Sequence, residues 1–221
     1  VIQHVIWDWN GTLLDDVDAC VDTINSLLSE RAMGTIDREH YLKHFGFPVR
    51  NFYTALGFDL QSEDFGTVST TFIDRYHTRV RTSVTHDETH DTLTRIGQRG
   101  IRQHVVSAME ETMLHRMLNE HAIFPHLEHV RGLDHIHATS KIQLGTELLA
   151  TLDCDPTHVL FVGDTLHDHE TASAMGCHCV LFGRGHQHPT RLANAGVEII
   201  HQLRDIHDTI DAHDQRTGRL T

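Results

Sequence analysis

The sequence predicts an α/β fold: a Rossmann-like parallel sheet with helices on both faces, and an all-helical cap inserted after the first strand. Short apolar runs that end in a polar residue recur, at Val5-Ile6-Trp7 before Asp8, within Ile101–Ser107, and at Thr157–Gly163 before Asp164. From about His90 onward helical spacing separates these runs, the alternation of a parallel sheet. Between residues 15 and 84 only helical spacing is found, and a block of that size set directly after a strand reads as a cap and not a linker. The expected division is therefore a core of 1–14 and 85–221 and a cap of 15–84.

The chain has 221 residues, 39 % of them hydrophobic, and a formal net charge of −13. Such acidity argues against nucleic-acid backbones and anionic membrane surfaces as partners, although a local cation or metal can still hold a phosphate. Lys43 and Lys141 are the only lysines among 18 basic residues, against 22 histidines. Low lysine with surplus acid is compatible with a salty cytosol. Cys20, Cys154, Cys177 and Cys179 form no spaced framework, so reduced thiols are expected, and Cys177-His178-Cys179 offers too few ligands for a zinc site. No apolar run approaches membrane length and no signal-like start is present, so a cytoplasmic protein is expected.

The chain is organised around Val5-Ile6-Trp7-Asp8-Trp9-Asn10-Gly11-Thr12-Leu13-Leu14-Asp15-Asp16. A buried strand here delivers a carboxylate and turns at Asn10-Gly11, although Asp and Asn also follow strands simply as turn caps. Val17, Val21, Ile24, Leu27 and Leu28 then predict a helix to about Arg31, stopped by Gly34. Residues 36–45, 48–56 and 62–81 predict three more. Beyond the cap, helices are expected at 89–99, 110–121, 140–152, 170–175, 189–195 and 203–210, and strands at 101–107, 157–163, 177–182 and 197–200.

Asp8, Ser107, Lys141 and Gly163-Asp164-Thr165-Leu166-His167-Asp168 lie at or beside strand ends. This set, in this order, resembles the haloacid-dehalogenase-like hydrolase superfamily, and most nearly its phosphoglycolate-phosphatase-like branch, which carries a helical cap after the first motif. Leu181-Phe182-Gly183-Arg184-Gly185-His186 and Leu192-Ala193-Asn194-Ala195-Gly196 are similar to the tail of that branch. The resemblance implies an Mg²⁺-dependent phosphatase acting on a small, phosphoglycolate-like phosphorylated metabolite. It implies that Asp8 is the nucleophile, that Asp8, Asn10 (through its main-chain carbonyl), Asp164 and Asp168 hold the metal, and that Asn10, Gly11, Thr12, Ser107, Ala108 and Lys141 surround the phosphate.

The chemistry agrees: a carboxylate can take a phosphoryl group as an acyl phosphate. Paired aspartates suit Mg²⁺, and a hydroxyl and an ammonium can hold phosphoryl oxygens. Simpler roles stand beside these: a helix cap for Ser107 or Asp168, and surface exposure for Lys141.

Asn10 departs from the family pattern, which has an aspartate there to protonate the leaving group and activate water. Losing a general acid/base costs roughly 10²–10⁴-fold in rate, and alkyl phosphates should suffer most. His167 and the cap's His44 are the nearest stand-ins by sequence. A relative that binds phosphate without turnover is one alternative. Another is a phosphonatase-like carbon–phosphorus hydrolase using Lys43 as a Schiff-base lysine, since that branch also lacks the second aspartate. Trp9 is expected to face cap and substrate, and Phe45, Phe47, Phe52 and Tyr53 to fill the cap core or roof a pocket. The pairs His135-Ile136-His137, His167-Asp168-His169 and His186-Gln187-His188 read as surface composition.

Overall fold

A computed structural model describes residues 1–134 and 140–218; His135-Ile136-His137 lies outside them. Its strands are β1 (His4–Trp7), β2 (Leu14–Asp15), β3 (Val84–Thr85), β4 (Arg102–Glu110), β5 (His129–Leu133), β6 (Val159–Gly163), β7 (His178–Phe182) and β8 (Glu198–Ile200). The helices are α1 (Val17–Glu30), α2 (Arg38–His44), α3 (Val49–Ala55), α4 (Phe65–Arg79), α5 (Thr89–Gln98), α6 (Glu111–Glu120), α7 (Lys141–Thr151), α8 (Leu166–Met175), α9 (Pro189–Leu192) and α10 (Ile206–Gly218).

Six strands form one sheet in the order β5-β4-β1-β6-β7-β8, every pair parallel. Trp7 is in register with Val105 on one side and Val162 on the other. β1 is thus the point where the connections part to left and right, and in open α/β sheets the crevice beyond the strands' carboxyl ends at that point takes the ligand. Alternation along β1 sends Val5 and Trp7 to one face and Ile6 to the other. Val5 and Trp7 share a core with Leu93, Ile96 and Ile206 of α5 and α10. Ile6 packs with Leu144, Leu148, Ala172 and Met175 of α7 and α8.

The helices α1 to α4 fill the stretch between β2 and β3, and those two short strands pair antiparallel where the chain leaves and re-enters the sheet region. Asp37 and Asp64 cap α2 and α4 by accepting from the amides of His40 and Thr67, which starts both helices later than periodicity alone suggests. β5 escapes the sequence analysis. His129, Arg131 and Gly132 dilute its apolar signal, yet Val130 is buried against the core. β4 runs on to Glu110, past the expected end at Ser107, with its register to β5 interrupted between Val106 and Glu110.

His4 and His104 are fully buried, 3.0 Å apart between Nδ1 and Nε2. Burial, reinforced by its histidine and arginine neighbours, pushes His104 down to about 3. Because the unfolded chain binds a proton near pH 6.5 and the folded chain does not, stability should fall as pH drops from about 6.5 toward 3. Melting temperature should therefore decline through that window in wild type and decline less in His104→Leu; equal declines would rule out this origin.

Candidate active site

Asp8 follows β1, and its amide donates to the carbonyl of Val162 at 2.8 Å, which fixes it at the sheet's carboxyl edge. Lys141, the first residue of α7, places Nζ 2.5 Å from Oδ1 of both Asp8 and Asp168. Asp8 and Lys141 are each 6 % exposed, while Asp164, Asp168 and Ser107 are fully buried. Lys141 is therefore no surface residue. Asp168 does cap, since Oδ2 accepts from the amide and hydroxyl of Thr165 at the start of α8, but its other oxygen faces Lys141. Ser107 caps no helix; Glu110 caps α6, and Ser107 Oγ accepts from the Met109 amide at 3.1 Å.

One oxygen from each of Asp8, Asp164 and Asp168 lies within 4.8 Å of the others. Three buried carboxylates this close repel one another, and the ionisation of each is costly. Burial holds Asp8 well above the usual carboxylate range; Lys141 opposes the shift, while Asp168 and Asp164 add to it. Burial also raises Asp164, to about 6. At Asp168 burial is overridden by Lys141 and Thr165, so this carboxyl is held low. The group carries more negative charge than one ammonium balances, and its hard oxygens match the donor set of Mg²⁺.

Above the carboxylates opens a cavity of about 550 Å³, lined by Asp8, Asn10, Ser107, Ala108, Lys141 and Asp164 at its polar end. Gly11, Thr12 and Asp168 do not line it. Thr12 Oγ1 donates to Asp164 at 3.1 Å, and the Gly11 amide to Asp16 at 2.8 Å, so both are occupied with aspartates in this structure. Gly11 has φ +76°, and a Cβ there would collide with the Asp164 carboxylate and the His186 ring.

Trp9 corrects the expectation made for it: it is fully buried, its ring 5.8 Å from that of His121, away from the cavity. Lys43 is exposed and paired with Glu39 at 2.5 Å, so the lysine that a Schiff-base route needs is turned to solvent. His44 is likewise exposed and bonded to the His40 carbonyl. His167 lines the cavity wall, with Nδ1 2.9 Å from Glu170 and its ring 4.8 Å from Phe47. Burial pushes the Cys177 thiol up to about 12, which suits packing more than metal binding.

The sequence profile of the haloacid dehalogenase-like hydrolases matches residues 5–182. The chain belongs to that family. No curated protein matches it significantly. Among solved structures of haloacid dehalogenase-like fold, a conserved protein of unknown function from Agrobacterium tumefaciens superposes with a TM-score of 0.81 at 21 % identity, covering 96 % of this chain and 99 % of that one. A predicted phosphoglycolate phosphatase from Haemophilus somnus gives 0.74 at 17 %, covering 95 % and 98 %. A family hydrolase from Deinococcus radiodurans with bound phosphate and sodium gives 0.74 at 17 %, covering 96 % of each chain.

Against this family background the surroundings of Asn10 stand out. Its amide nitrogen donates to Asp16 Oδ2 at 3.0 Å and lies 2.7 Å from the Tyr76 hydroxyl, which itself donates to Asp16 at 2.6 Å. A carboxylate at position 10 would face Asp16 at that distance, so the amide and Asp16 belong together. Asp16 Oδ1 meets His186 Nε2 at 3.1 Å, and His186 Nδ1 meets the Tyr41 hydroxyl at 3.0 Å. Burial would lower His186, but Asp16 outweighs it and the imidazolium is held up to about 9. Asp16 and His186 escape the sequence analysis as site residues. The signals that mark them are a second acidic residue directly after the first motif, and a glycine-rich turn closing β7, where a Cβ on Gly185 would strike Asp164.

Proposed function

We propose that this haloacid dehalogenase-like hydrolase is an Mg²⁺-dependent phosphomonoester phosphatase that works through an aspartyl phosphate on Asp8. The observation that carries the proposal is the set of three buried carboxylates, two of them paired with Lys141, at the carboxyl edge of β1 and β6. Asp8 Oδ attacks phosphorus and the ester P–O bond breaks with its electron pair on the leaving oxygen, which takes a proton from solvent; water then attacks phosphorus, the P–O bond to Asp8 breaks, and phosphate and the free carboxylate are released. Lys141 and the Ser107 hydroxyl hold the phosphoryl oxygens as charge moves onto them, with Asn10 and Ala108 lining the seat and the Gly11-Thr12 turn holding Asp16 and Asp164 in place behind it. Asp8, Asp164, Asp168 and the main-chain carbonyl of Asn10 would hold the metal. When bound, the cation neutralises the repulsion between the Asp8 carboxylate and a phosphate dianion. The phosphatase names borne by several structural relatives fit this chemistry, and a core of 1–14 and 85–221 with a cap of 15–84 fits the pairing of β2 with β3.

Incubation with Mg²⁺ and a panel of phosphomonoesters should release phosphate, and chelation should abolish the release. Phosphonoacetaldehyde should yield none, because Lys43 faces solvent. A second reading, a relative that binds phosphate with little turnover, draws on Asn10. Mg²⁺-dependent phosphate binding without release from any ester would establish it and overturn the first.

A further inference from the structure

Resting on that phosphatase reading, we infer that the substrate is a phosphate ester with an apolar, aromatic body and an acidic leaving oxygen, a phenol-type phosphate. Two independent features of the cavity carry this.

The first is what stands above the carboxylates. Phe45, Phe52, Tyr53, Phe65 and Phe72, contributed by α3, α4 and the end of α2, line the cavity beyond its polar floor. They brace one another edge to face: Phe52 lies 5.6 Å from both Tyr41 and Phe45, and Tyr53 lies 5.8 Å from Phe65. A wall of fixed ring edges and faces suits an aromatic guest, for which such geometries add to area burial. The charge of the wall points the same way. Among the described residues the lining contains no arginine and no lysine other than Lys141, which is committed to the carboxylates and the phosphate. The Glu110 carboxylate accepts from the Thr112 and Met113 amides, and the lining histidines His167 and His186 face Glu170 and Asp16. A leaving group bearing its own carboxylate, as in phosphoglycolate, would be desolvated among these rings with no guanidinium or second ammonium in the described lining to meet it.

The second is the chemistry at residue 10. Asn10 has no acidic proton to give the departing oxygen, and the groups around it are engaged: Tyr76 with Asp16, both ring nitrogens of His186 with Asp16 and Tyr41, and the stand-in His167 through Nδ1 with Glu170. A phenol-type oxygen needs no such help. As Asp8 Oδ bonds to phosphorus, the P–O bond breaks with its electron pair on the aryl oxygen, and the phenolate takes its proton from solvent. Water then attacks phosphorus, the P–O bond to Asp8 breaks, and a proton passes to the phosphate. The sum is ester plus water giving phenol plus phosphate. Without a general acid the rate should depend steeply on leaving-group acidity, whereas a protonating residue flattens that dependence.

The test is kcat/KM of the wild-type protein with Mg²⁺ for 1-naphthyl, phenyl, benzyl and ethyl phosphates and phosphoglycolate, read as released phosphate. Naphthyl should exceed phenyl, and phenyl should exceed benzyl, similar in body but with a poor leaving group, by about 10²-fold or more. Ethyl phosphate and phosphoglycolate should come last. Benzyl phosphate matching phenyl would overturn the leaving-group half, and phosphoglycolate or ethyl phosphate matching phenyl would overturn the apolar half; both leave the phosphatase reading standing. No release from any of the five, aryl esters included, would overturn the phosphatase reading and this inference together.

Discussion

Lys141→Met is expected to lower both stability and turnover. The ammonium is buried between Asp8 and Asp168, and although burial opposes its charge, the two carboxylates keep it protonated throughout the working pH range. Removing it leaves buried carboxylates without their partner, a change that typically costs about 3–5 kcal/mol. Loss of a preorganised charge at the phosphoryl oxygens should lower kcat by a further factor of about 10²–10³. Urea unfolding with and without Mg²⁺, beside phosphate release, checks both halves. Added Mg²⁺ should restore part of the stability, because a cation among the same oxygens relieves the same repulsion. A variant as stable and active as wild type would remove Lys141 from the site.

Asp8→Asn should have the opposite signature. Turnover should fall by a factor on the order of 10⁴ or more, as when other nucleophiles are removed. The fold should not weaken, because the amide matches the carboxyl in shape and removes one of three crowded charges. Melting temperature in the absence of metal should equal or exceed that of wild type. An inactive variant that is also unstable would leave its inactivity uninformative; a stable variant with full activity would refute the role assigned to Asp8.

How far the sequence discloses this site follows from how far apart its partners lie. Asp8, Ser107 and Asp164 are legible because each is delivered by a short apolar run, and the sheet brings strand ends together without further information. Lys141 is legible through the rarity of lysine. The metal-candidate carboxylates thus follow from local pattern and topology.

The surroundings of Asn10 do not. Tyr76 reaches Asp16 across 60 residues and His186 reaches it across 170, on elements whose approach depends on how the helical insert meets the sheet. With 22 histidines in the chain, no single imidazole is conspicuous, and the sequence favours His44 and His167, which lie nearer recognisable features. The aromatic residues of the insert are visible as a group, but only packing decides which rings face the cavity. β5 is hidden from the sequence for a related reason: an edge strand carrying His129, Arg131 and Gly132 shows little apolar run, and its place comes from pairing with β4.

Acceptance of the phosphoryl group by Asp8 is tested by peptide mass spectrometry of protein acid-quenched seconds after mixing with Mg²⁺ and acetyl phosphate, a donor whose leaving group needs no proton. A phosphate adduct on the peptide containing Asp8, absent from Asp8→Asn and from chelator-treated protein, is the predicted result. Phosphate release at full rate with no such adduct, and undiminished in Asp8→Asn, would contradict it.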